Sequence, residues 1–124
     1  MKNIYYVYSV GIRCQYEGDG WNELILDNEN LISNAKSVLI EAVNYELAMH
    51  TFLLDDADKD FKSGKWSKDI YEAVVEEHTL MMSKAQSLLE RIGSVSTVED
   101  LESLSGEEVN GHEHIVIFKE AVLS

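Results

Sequence analysis

A chain of 124 residues with 45% apolar content and a net charge of −13 is the length of one domain, 1–124, and too apolar for disorder throughout. Its acidity repels phosphate backbones and anionic membrane surfaces, so direct nucleic-acid binding and membrane attachment are not expected. Its one cysteine, Cys14, has no partner for an internal disulfide, no stretch reaches the ~18 uncharged apolar residues of a membrane span, and MKNIYYVYSV makes a poor signal peptide; a reducing cytoplasm is the expected setting.

Ile4 to Ile12 reads IYYVYSVGI, a β-branched and aromatic run that predicts a strand buried on nearly both faces. Glu17-Gly18-Asp19-Gly20 is a turn, and WNELIL from Trp21 predicts a second strand, so 1–26 reads as a β-hairpin. From Glu29, apolar residues recur at helical spacing from Leu31 to Leu53, which predicts a helix to about Leu54 that frays into an Asp-rich turn. Ser67 is a good N-cap and Asp69 suits a first turn, so the second helix should run from Lys68 to Ile92, with Gly93 closing it in a left-handed conformation. The two helices, 29–92, should form a long antiparallel hairpin turning near Asp60 and Phe61. In 97–124, Thr97-Val98-Glu99-Asp100 looks like a short helix start, Gly106 and Gly111 bracket an acidic loop, and HIVIFKEAV from His114 is a closing strand. The expected fold is α+β: a small antiparallel sheet, made of the hairpin and the last strand, carrying a long α-hairpin. Two such hairpins packed as a four-helix contact would cover the overhanging apolar stripe, so a homodimer is expected.

Few residues point to chemistry. Glu46 and His50 share a helix face, and a turn near Asp60 would set Glu46 opposite Glu77 and His78, two helices offering Glu and His inward; the Glu-x-x-His pairs of bundle metal sites are missing. Asp56-Ala57-Asp58-Lys59-Asp60 imitates the start of a calcium loop but has Phe61 and Ser67 where glycine and glutamate are needed. His112 and His114 lack a third ligand nearby in sequence, and Cys14 has only Arg13 beside it. No phosphate-cradling, nucleophile-elbow or zinc-helix motif occurs, so no catalytic residue, metal or cofactor is assigned and no enzyme is expected. A metal- or small-molecule-dependent enzyme on the α-hairpin and a plain homodimeric structural module are the rival readings.

Two binding surfaces are candidates. Tyr5, Tyr6, Tyr8, Tyr16 and Trp21 crowd one hairpin; beside a buried-core reading stands a stacking platform for a flat ligand, with Tyr16 and Trp21 as its rings and Arg13 and Arg91 as its anion-binding members. The segment 93–124 holds seven acids against one base, and Glu99, Asp100, Glu107 and Glu108 are close in sequence. Such charge serves solubility, or it docks on a basic groove of a partner.

The layout of an acidic chain with an aromatic first strand at Ile4–Ile12, two long helices ending at Gly93 and a closing strand at Ile115–Phe118 resembles small phage-encoded counter-defence proteins. One type is the anti-Thoeris sponge, which holds a cyclic ADP-ribose signal between subunits of a homo-oligomer. The other is the acidic anti-CRISPR inhibitor, which occludes a nucleic-acid groove of an effector. The likeness implies a non-enzymatic inhibitor of a bacterial immune system in the host cytoplasm, sequestering a cyclic nucleotide signal or the basic surface of a host immune protein. It assigns no residue.

Overall fold

The computed structural model describes residues 3–14 and 20–123. Their elements, in chain order, are β1 (Ile4–Cys14), β2 (Gly20–Leu26), α1 (Leu31–Lys62), α2 (Lys68–Gly93), α3 (Val98–Glu102) and β3 (Glu113–Leu123). The strands form an antiparallel sheet in the order β2-β1-β3, and α1 and α2 pack as a helical hairpin, which is the α+β arrangement expected from the sequence.

Strand alternation decides which side of the sheet meets the helices. Tyr8 lies opposite Ile25 on β2, while Val10 and Ile12 lie opposite Ile117 and Ile115 on β3. All six are buried against Leu31, Ala35, Leu39 and Val43 of α1 and Leu88 and Ile92 of α2. Tyr8 is fully buried, and its hydroxyl donates to Glu102 Oε1 at 3.2 Å. Burial and that carboxylate push its pKa up to about 12. β1 and β2 approach closely at Gly11, where a Cβ would collide with the Trp21 carbonyl and Asn22 Cα.

The other face of the sheet is open. Tyr5, Leu24, Leu26 and Phe118 stand exposed there, so β1 is not buried on both sides as its composition suggests; helices cover only one face. Strand alternation sends these residues to the side away from the helices.

The helices differ from expectation at their ends. α1 continues past Leu54 to Lys62, because the Asp-rich stretch is compatible with helix once Lys59 and Lys62 sit at the negative end of the helix dipole. Asp56, Asp58 and Asp60 are therefore helical, and no calcium-type loop forms from them. The reversal occupies 63–67, with Gly64 at φ +80, and is closed by Phe61 stacked on Tyr71 at 4.5 Å. Ser67 Oγ accepts the Ile70 N–H at 3.3 Å, the cap anticipated for α2. At the other end Gly93 remains within the helix, and Ser94 finishes it in right-handed geometry with its N–H on the Glu90 and Arg91 carbonyls. Thr97 and Asp100 form a reciprocal capping box at α3.

Candidate functional site

Where β2 leaves the core, its alternation sets Trp21 and Glu23 on the same side as buried Ile25, facing α1. Across from them, Glu41 and Tyr45 are separated by one turn of α1, and Glu46 follows. Glu113, the first residue of β3, completes the ring. These side chains line a cleft of about 540 Å³, to which Ile12 and Ala42 add apolar surface. Among the described residues, no Lys or Arg lines it.

Glu46 is the unusual member. It is only 4% exposed, and among the described residues its Oε2 has no hydrogen-bond partner. His50 Nε2 lies 3.7 Å from it, one turn along α1. Burial holds the Glu46 carboxyl above its usual range; the charge of Glu113 adds to this, while a hydrogen bond from Asn110 pulls the other way. Asn110 also donates to Glu113 Oε1 at 3.0 Å.

His50 connects this carboxylate to α2. Its Nδ1 lies 2.8 Å from Nδ1 of His78, so one imidazole donates and the other accepts. Burial lowers the His50 pKa, the neighbouring His78 lowers it further, and Glu77 opposes both. The hairpin therefore matches His50, not Glu46, with His78. The register is one helical turn away from that expected, because the reversal lies at 63–67 and not at Asp60–Phe61. Among the described residues, no group of three or more His, Cys, Asp or Glu side chains is arranged to hold a metal ion.

The residues singled out for a stacking platform are not brought together. Arg13 lies opposite Gly20, on the face away from Trp21 and Ile12. Arg91, near the end of α2, is ion-paired with Glu107 at 2.9 Å. Tyr16 lies outside the described residues. Tyr8 is core, and Tyr6 carries Lys119 over its ring at 4.3 Å. Of the described candidate ligand residues, Trp21 lines the acidic cleft and Arg13 and Arg91 do not.

The acidic residues of 99–108 divide by role, and Glu102 is the one that accepts from the Tyr8 hydroxyl. Asp100 is committed to the capping box, where the Ser96 backbone N–H and the Thr97 side chain hold its carboxyl below the usual range. Glu107 belongs to Arg91, and Glu99 and Glu108 keep exposed side chains. Glu107 and Glu108 also line a second cleft of about 300 Å³ in which Lys84 offsets part of their charge.

No protein-family model matches this chain, and neither does a curated protein or a solved structure. Glu23, Glu41, Tyr45 and Glu113 were not legible as a site from sequence, since three elements supply them. One signal was available: the period of two in WNELIL sets Glu23 between Trp21 and Ile25 on the inward side, a carboxylate where a core residue belongs.

Proposed function

We propose that this chain is a non-enzymatic binding protein that sequesters the basic surface of a host immune protein, acting in the cytoplasm as a homo-oligomer in the manner of phage-encoded acidic inhibitors. The observation that carries this reading is a cleft whose described lining residues include four carboxylates and no Lys or Arg, on a chain of net charge −13. Such a surface selects cationic partners and steers them in. A cyclic nucleotide is the less favoured cargo, because Trp21 shares its cleft with carboxylates while Arg13 and Arg91 stand elsewhere. Homo-oligomerisation rests on the open sheet face: copies of like charge approach best where carboxylates are sparse, and Leu24, Leu26 and Phe118 crowd that side.

The test uses purified nucleic-acid-guided immune effectors and gel shifts of their target nucleic acid. Adding the chain should abolish the shift at low salt. Charge reversal at two acids with exposed side chains, E99K with E108K, should slow association several-fold, because steering acts through surface charge. Target binding that is unchanged across such effectors, together with unchanged phage plating on cells expressing the chain, would overturn the reading.

A further inference from the structure

We infer that the cleft between the sheet end and α1 is a socket for a guanidinium group, the arginine side chain of a basic protein partner; this rests on the proposed function and names the chemistry of its contact. The deciding feature is Glu46, which lines the cleft and is 4% exposed. Among the described residues its Oε2 has no hydrogen-bond partner, and His50 Nε2 stands 3.7 Å away. A buried acceptor in that state is rare in folded proteins, because water has been removed and nothing has replaced it. A group that brings donors, and no acceptor of its own, satisfies it.

The remaining lining chooses among cations. Guanidinium is planar, carries five N–H donors in a fixed fork, stacks on aromatic faces and is weakly hydrated. Trp21 and Tyr45 supply two rings, Glu23, Glu41 and Glu113 supply further acceptors, and Ile12 and Ala42 offer apolar surface to a methylene stem. An ammonium loses more hydration on entry and gains no stacking. A divalent metal is not favoured, since no group of three ligating side chains is set to hold one among the described residues. A phosphate would meet four carboxylates and, among the described lining residues, no Lys or Arg.

Entry of a cation also relieves the crowding of Glu46 with Glu113. The titratable groups around Glu46 are His50 and Glu41 from its own helix, Glu113 of β3 with Asn110 from the loop before it, and, across the cleft, Glu23 of β2; His78 and Glu77 of α2 act through His50. Because the free carboxyl is held toward its protonated form, a bound cation draws a proton off it, and affinity rises with pH through that titration.

The experiment uses the full chain with W66F, so that Trp21 is its one indole reporter. Propylguanidinium, propylammonium and the neutral isostere propylurea are titrated while Trp21 emission is followed, and the peptides acetyl-Gly-Arg-Gly-amide and acetyl-Gly-Lys-Gly-amide are compared likewise. Propylguanidinium should saturate the signal and propylurea should not, with the arginine peptide at least fivefold tighter than the lysine peptide. E46Q should weaken guanidinium binding tenfold or more while melting no lower than the parent, and E41Q, at an exposed position, should weaken it less. Equal responses to guanidinium and urea, equal affinities for the two peptides, or parental binding by E46Q would overturn the inference. Guanidinium binding without effector inhibition would defeat the proposed function alone; effector inhibition by a chain whose cleft ignores guanidinium would defeat this inference alone.

Discussion

Glu46 sets the acid–base behaviour of the molecule at the scale of one residue. Its pKa is raised from 4.5 in the fold, chiefly by burial, so above that pH the folded chain holds more of the proton than the unfolded chain does. The stabilising protonated form is complete below 4.5 and is lost as pH rises through the folded value. E46Q removes this loss. Its thermal midpoint should match the parent below pH 4.5 and exceed it at neutral pH, by a stability difference on the order of 1 kcal/mol, the cost of an unmade buried hydrogen bond. Calorimetry from pH 4 to pH 8 checks this; an E46Q chain that melts below the parent at pH 7 would show that the carboxylate is a net support of the fold.

Between elements, the link that responds to acid is the His50–His78 contact joining α1 to α2. The His50 pKa is lowered from 6.5 by burial and then by His78, so between 6.5 and the folded value the unfolded chain takes up the extra proton. Stability is therefore lost as pH falls below 6.5 and levels off once the folded histidine is also protonated. H50Q should show a shallower fall in thermal midpoint between pH 7.5 and pH 5 than the parent; parallel slopes would mean that the pair does not govern hairpin stability. The contact also marks how far the sequence could be read. The start of α2 was legible, because Ser67 and Asp69 are local signals and the cap is made by neighbours in sequence. The end of α1 was not, because Asp56, Asp58 and Asp60 have the composition of a turn, and the helix continues through them on the strength of packing at Ala57 and favourable Lys59 and Lys62. That extension moves the reversal, and with it every pairing across the hairpin. The cleft was hidden for a different reason: Trp21, Tyr45 and Glu113 meet only when strand register and helix packing are both known.

For the whole molecule, charge and exposed apolar surface pull against each other. Copies bearing −13 repel over a Debye length of about 8 Å at 0.15 M salt, yet the outer sheet face leaves Leu24 76%, Leu26 53% and Phe118 56% exposed. Light scattering should give at least twice the 14.1 kDa chain mass, more completely as salt rises, and L24K with F118K should return the single-chain mass. A monomer at every salt concentration would assign that face to another partner. The sheet order has a separate consequence, in time. β1 sits at the centre, bonded on one side to β2 a few residues away and on the other to β3, with Ile12 meeting Ile115. During synthesis at roughly 5–20 residues per second, the first strand waits several seconds with one row of backbone donors and acceptors open to any passing strand. The aromatic edge of a nascent chain is then its most sticky surface, and pulse-labelled chains arrested before Glu113 should be held by chaperones while chains extended through Leu123 are released.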